Sequence, residues 1–165
     1  GLVEIARKTG SRLKLLDYMK VSGNGWEIEY LPFVQLRKDL EKRAEGVSWM
    51  YPPGGLGTPM PLFKINGTEV MVKDASIGTN YHDTCNSCTN YPCQDALISL
   101  RVTHDGRLKR CLIRDDNLVD VLTLLRNGNK EEVRKLISES YRIFEETKYQ
   151  PNAWSPENEK HRIVK

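Results

Sequence analysis

The chain has 165 residues, 39% of them hydrophobic and 28% charged, with a formal net charge of +3. This is the composition of a folded chain in water, not of a disordered or membrane-embedded one, and so small a positive excess gives no argument for a nucleic-acid partner. The length excludes a complete (β/α)8 barrel, which typically needs about 250 residues, and no apolar run approaches the roughly 18 residues of a membrane span.

The opening stretch Gly1-Leu2-Val3-Glu4-Ile5-Ala6-Arg7-Lys8 lacks the basic start and apolar run of a signal peptide. On that ground a cytoplasmic location with reduced thiols is expected. Residues 2–9 read as a short helix, apolar at Leu2, Val3, Ile5 and Ala6, with Gly10 as its C-terminal cap. Residues 12–19 read as a buried strand, and Gly23-Asn24-Gly25 as a turn. Trp26-Glu27-Ile28-Glu29-Tyr30-Leu31 alternates strictly, which predicts a strand. Phe33 to Ala44 has helical spacing at Phe33, Leu36, Leu40 and Ala44, with Gly46 ending the helix. Pro52-Pro53-Gly54-Gly55-Leu56-Gly57 is a breaker-rich loop without the spacing or lysine of a phosphate loop. Strands at about 60–65 and 69–73 meet at Asn66-Gly67, a strong hairpin signal.

Residues 75–95 are rich in Gly, Asn, Thr, Ser and Pro and read as loop. Two strands follow, 98–102 and 107–113, joined by the turn residues His104-Asp105-Gly106. Asp116 or Asn117 is expected to cap a helix over about 118–126, and 130–148 is amphipathic, with Val133, Leu136, Ile137, Tyr141 and Phe144 on one face. Past Pro151 the chain is polar and aperiodic, a flexible or docking segment.

Cys85, Cys88, Cys93 and Cys111 are the only cysteines and fall within 27 consecutive positions, spaced C-x2-C-x4-C-x17-C. The two-residue gap lets the first two sulfurs turn toward one centre. Cys93 follows in the same loop, and Cys111 is expected on a strand. Such a thiolate set suits zinc or an iron–sulfur cluster. Zinc ribbons usually carry two C-x2-C pairs, and Cys111 has no such neighbour. Buried free cysteines acting as small hydrophobes would need apolar surroundings, whereas Asn86, Ser87, Thr89 and Asn90 are polar. His82 is an alternative ligand, although a solvated loop histidine is the commoner reading. Arg107, Lys109 and Arg110 read as the basic face of the hairpin, with Arg110 on the strand face opposite Cys111. No carboxylate pair or nucleophile–base set stands out, so no catalytic residue is assigned.

The segment Ser99-Leu100-Arg101-Val102-Thr103-His104-Asp105-Gly106-Arg107-Leu108-Lys109-Arg110-Cys111-Leu112 resembles a stretch of radical S-adenosylmethionine enzymes, most closely the MoaA family of molybdenum-cofactor GTP 3′,8-cyclases. Ile28-Glu29-Tyr30-Leu31-Pro32 and Asp120-Val121-Leu122-Thr123-Leu124-Leu125-Arg126-Asn127-Gly128 are similar to flanking motifs, so the resemblance covers about 12–130. It implies an α/β (α+β) chain: the last elements of a partial (β/α) barrel over 1–50, then an auxiliary-cluster domain over 51–150 (cysteine-rich loop, β-hairpin, C-terminal helices), and a tail over 151–165. It further implies an auxiliary [4Fe-4S] cluster, for which Cys85, Cys88 and Cys111 match the family's cysteines and Cys93 is added by this chain, and substrate binding by Arg101; zinc on the same four cysteines, in a non-catalytic interaction module, is the alternative that the spacing leaves open. The implied partners are an N-terminal radical S-adenosylmethionine barrel and a small-molecule substrate.

The family's radical-generating C-x3-C-x2-C site does not occur in this sequence, so the chain alone is expected to make no radical. The family leaves one auxiliary iron without a protein thiolate, open to substrate. Here the spacing between Cys88 and Cys111 is longer and contains Cys93, which would supply a fourth ligand. Thr89-Asn90 stand where the family has Asn-Arg, so a GTP substrate is not implied with the architecture.

Overall fold

The structure, a computed structural model, describes residues 1–20, 25–51, 58–97 and 99–155. The expected turn residues Gly23-Asn24, the loop at 52–57 and the tail beyond Ser155 lie outside them. The described chain is mixed α/β, with a four-stranded, a three-stranded and a two-stranded sheet.

Helix α1 (Leu2–Thr9) ends on Gly10, whose φ of 64° is the left-handed cap expected. Strands β3 (Met60–Ile65) and β4 (Thr68–Lys73) form the Asn-Gly hairpin, with φ of 49° at Asn66 and 74° at Gly67. Positive φ at both central residues is the turn whose twist matches the flanking strands. Strand β1 (Leu13–Leu16) runs parallel to β4, and β2 (Gly46–Met50) antiparallel to β3, giving the order β1-β4-β3-β2. The sheet therefore draws strands from both sides of residue 50. Helix α3 (Phe33–Arg43) sets Leu36 and Leu40 on Phe63, Ile65, Val70 and Val72, joined by Val3, Leu13 and Leu15. Gly46 does not merely end that helix; it begins β2.

The expected strand at 26–31 is instead helix α2 (Trp26–Glu29). The reason is tertiary. In a strand, Trp26, Ile28 and Tyr30 would share one face. In a helical turn, Trp26 and Tyr30 stack at 4.5 Å between ring centroids, while Ile28 is left 91% exposed. Trp26 is fully buried, donates from Nε1 to the Tyr18 carbonyl at 2.8 Å and meets Trp154 edge-on at 6.4 Å. Burial of two indoles outweighs the alternation of the sequence.

Strand β5 (Gly78–Tyr81) lies where loop is expected and pairs antiparallel with β9 (Lys148–Pro151). Gly78 has φ 134°, and a Cβ there would meet the Gln150 carbonyl oxygen and Pro151 Cα at 2.7 Å; only glycine lets the strands come this close. Strands β6 (Arg101–Val102), β7 (Arg107–Lys109) and β8 (Val119–Asp120) form the third sheet. The second strand of that hairpin is shorter than expected, ending at Lys109 rather than Ile113. The helix expected from 118 begins later, as α4 (Leu122–Arg126), with the Asp120 carboxylate accepting from the Thr123 N–H at 3.1 Å. Helix α5 (Lys130–Glu145) packs Val133, Leu136 and Ile137 on Leu108 and Val121. None of the described helices is long and apolar enough to cross a membrane.

The segment after Pro151 docks at least as far as Trp154, which is 1% exposed beside Trp26 and Ala75. Trp154→Ala is expected to lower the free energy of unfolding by about 3–5 kcal/mol, the usual cost of emptying a buried tryptophan site. A urea titration followed by far-ultraviolet circular dichroism measures it. A change below about 0.5 kcal/mol would mean that the segment is free, as for an ordinary surface site.

Candidate metal centre

The cysteine segment leaves β5 at Tyr81. His82 opens a short 3-10 turn over Asp83–Cys85, its Nδ1 accepting from the Thr84 N–H at 3.1 Å. Its Nε2 lies 3.2 Å from Glu146 Oε2. His82 is thus engaged away from the cysteines and is not among the residues lining their cavity. Successive turns follow, with the Cys88 N–H on the Cys85 carbonyl at 2.9 Å and the Tyr91 N–H on the Cys88 carbonyl at 3.1 Å. Two backbone N–H groups point at sulfur: Asn90 to Cys88 Sγ at 3.4 Å and Ala96 to Cys93 Sγ at 3.2 Å. Donors of this kind stabilise a thiolate and tune whatever it binds.

Cys93 is pinned from beneath. The Tyr81 hydroxyl donates to its carbonyl at 2.5 Å, and Tyr81 meets Tyr91 edge-on at 5.0 Å. The Tyr91 hydroxyl in turn donates to Gln150 Oε1 on β9 at 2.7 Å. Beyond Cys93, Asp95 is 2% exposed and pairs with Arg101 at 3.3 Å. Burial raises the Asp95 carboxyl from its ordinary value, and the Arg101 guanidinium partly offsets this. Arg101, the expected substrate contact, reaches Asp95 through Nη2 and is not among the residues lining the cysteine cavity.

Cys111 arrives from the far side. It does not sit on a strand, because β7 has already ended at Lys109. For the same reason strand alternation does not govern Arg110 and Cys111, and each lines one of two adjoining cavities. The first cavity is lined by all four cysteines with Thr84, Tyr91, Ala96, Leu97, Arg114 and Asn117, and holds about 380 Å³ of space, part of it open to solvent. Arg114 is the residue that sequence reasoning misses. It lies beside the sulfurs, its Nη1 donating to the Thr84 carbonyl at 3.3 Å and its Nε to Asp116 Oδ1 at 2.8 Å. Its proximity to Cys88 and Cys111 adds to the Asp116 hydrogen bond in raising the guanidinium pKa. Nothing local in the sequence marks it out from the basic residues around it.

Desolvation governs the thiols. Burial pushes Cys85 up and Cys93 up to about 12, more than the N–H donors at Cys93 offset. Among the described residues no three His, Cys, Asp or Glu side chains form a group that would hold a single metal ion. Thiols set around the wall of a cavity, with no carboxylate among its lining residues, are an all-cysteine donor set of the kind that iron–sulfur clusters and structural zinc take. By donor type the residues present fit an iron–sulfur cluster.

No protein-family model matches the chain. A probable GTP 3',8-cyclase of Methanococcus maripaludis is 30% identical over 135 residues, 82% of this chain and 39% of the relative. One from Methanococcus aeolicus is 31% identical over 138 residues, 81% of this chain and 38% of the relative. One from Methanothermobacter marburgensis is 28% identical over 144 residues, 86% and 42% of the two. The chain spans about two-fifths of the length of these curated relatives, and over that stretch it is MoaA-like.

In reduced, metal-free protein, Cys93 is expected to alkylate with iodoacetamide at least about a hundredfold more slowly than a free cysteine near pH 8.5, because the thiolate is the nucleophile. The unfolded chain releases this proton near the ordinary 9.0 while the folded chain holds it to about 12. Between those values the folded state binds more protons, so its stability falls as pH rises. Peptide mapping of the alkylated protein and urea midpoints against pH measure the two effects. Labelling of Cys93 at the free-cysteine rate would contradict the burial.

Proposed function

We propose that this chain is the cluster-binding C-terminal part of a radical S-adenosylmethionine enzyme of the MoaA kind, with Cys85, Cys88, Cys93 and Cys111 as thiolate ligands of one [4Fe-4S] cluster. The observation that carries this reading is the lining of one cavity by four cysteines from two segments, on either side of the β6–β7 hairpin. The similarity to probable GTP 3',8-cyclases supports the enzyme class.

When bound, the cluster would supply an electron carrier, or, where Cys93 does not ligate it, an iron able to accept a substrate lone pair. The chain's own residues do the holding. The Asn90 and Ala96 N–H groups hydrogen-bond to the sulfurs of Cys88 and Cys93. Tyr81 fixes the Cys93 backbone, and Arg101 acts at one remove, positioning Asp95 behind the Cys93 turn. Arg114 puts positive charge beside a cluster whose thiolate ligands make it anionic. With Cys93 as a fourth ligand the site is closed, which suits electron transfer or support of the fold.

The four-stranded sheet, with β1 parallel to β4 and helices α1 and α3 against it, is read as the last part of a partial barrel. Its remaining strands, the S-adenosylmethionine site and part of the small-molecule substrate site would come from an N-terminal radical S-adenosylmethionine barrel, in the same or a longer chain. The cytoplasm, which keeps thiols reduced, is the compartment this chemistry needs.

Anaerobic reconstitution with iron and sulfide is expected to give brown protein with about four irons per chain. Cys85→Ser, Cys88→Ser and Cys111→Ser should each lose most of that iron. Cys93→Ser should keep the cluster, change its electron paramagnetic resonance signal and open one iron to a small ligand. Colourless protein holding one tightly bound zinc after the same treatment would contradict the reading.

A further inference from the structure

Beside the cysteine cavity lies a second one of about 430 Å³, also partly open to solvent, lined by Thr84, Leu97, Arg110, Arg114, Asn117 and Ile143. Thr84, Leu97, Arg114 and Asn117 line both, so the two share a wall. The second cavity carries two guanidinium groups and no carboxylate. Its neighbouring cations are answered, Lys109 by Asp115 and Arg114 by Asp116. Arg110 has no acidic partner among the described residues. Its Nε is buried without a hydrogen-bond partner, and so is Asn117 Oδ1.

Two unsatisfied polar atoms on one small cavity are unusual, because buried polar groups are nearly always paired. A buried guanidinium N–H and an uncompensated positive charge together call for an anionic acceptor, and Arg binds planar or tetrahedral oxyanions through just such donors. The Asn117 amide can turn over so that its nitrogen donates to the same anion. Leu97 and Ile143 supply apolar wall, as small-molecule sites do.

We propose that this cavity is an oxyanion subsite, in which Arg110, backed by Arg114 and Asn117, holds the phosphate or carboxylate of a small molecule whose other end reaches toward the cysteine cavity. Oxyanion binding itself needs no cluster. Only the orientation of the molecule toward a reactive group rests on the reading of the cysteine cavity as a cluster site.

The test uses the full chain, reduced, with and without reconstitution, titrated with inorganic phosphate or acetate at constant ionic strength. Calorimetry and the Arg110 Nε–H resonance report binding. Phosphate is expected to shift that resonance, and Arg110→Gln to weaken binding at least about tenfold, with Arg110→Lys restoring part of it. Competition by acetate extends the site to carboxylates; its failure confines the site to phosphates. Asn117→Asp puts a negative charge into the cavity and should abolish binding by a route independent of Arg110. Reconstituted Arg110→Gln should keep its iron, so a lost oxyanion site and a failed cluster reading are separable: the latter would leave colourless protein that still binds phosphate. Binding equal to wild type in both Arg110→Gln and Asn117→Asp, or no Arg110 shift with either anion, would overturn the proposal.

Discussion

The cysteine segment between β5 and β6 has little regular structure of its own, and what fixes it is the pairing of β5 with β9. That pairing closes a loop of some seventy residues from Tyr81 to Lys148, and it is possible at this distance because Gly78 has no side chain to hold the strands apart. Once β9 is in place, Gln150 receives the Tyr91 hydroxyl, Tyr91 packs on Tyr81, and Tyr81 holds the Cys93 carbonyl. Each link is a single hydrogen bond or ring contact of ordinary strength. Together they place one sulfur to face another that arrives from beyond a hairpin. The β6–β7 hairpin and α5 brace the other side through Leu108, Val121 and Val133.

Charge follows the same division. Asp95 and Arg101 pair behind the Cys93 turn, and Asp17 lies under the first sheet, where burial raises its carboxyl and the Gln94 amide holds it at 3.1 Å. Gln94 also accepts from the Lys20 N–H at 2.8 Å, tying the cysteine segment back to the chain after β1. On the open side the cysteine cavity and the one beside it carry Arg114 and Arg110 and no carboxylate. Asp115 and Asp116 line a third hollow together with Cys88 and Arg114, and pair with Lys109 and Arg114. Arg110 is left without an acidic partner among the described residues, which suits an external anion on its side of the shared wall.

Local patterns were informative where local chemistry decides structure. Gly10, the Asn66-Gly67 turn, and the helices built on Val3, Leu40 and Val133 could all be read directly, since caps, primed turns and helical periodicity are written in a few adjacent residues. The spacing of the four cysteines suggests that they converge, and all four line one cavity. What could not be read depends on distant partners. The alternating stretch at Trp26 is helical because Trp154 completes its aromatic cluster from the other end of the chain. Strand β5 is too polar and glycine-rich to signal itself and exists through β9. Cys111 and Arg110 leave the strand because it ends at Lys109, which no local residue marks. Arg114 and Arg101 are chemically alike in the sequence, and only packing against Asp95 removes one from the cavity while Thr84 and Asp116 hold the other at its rim.

The account rests on the four sulfurs enclosing one polynuclear group. Anomalous diffraction at the iron edge, from crystals of the anaerobically reconstituted chain, tests this most directly. Four iron positions inside the cavity lined by Cys85, Cys88, Cys93 and Cys111 are the predicted result. A single zinc held by the four sulfurs at about 2.3 Å, or iron bound elsewhere on the chain, would contradict it.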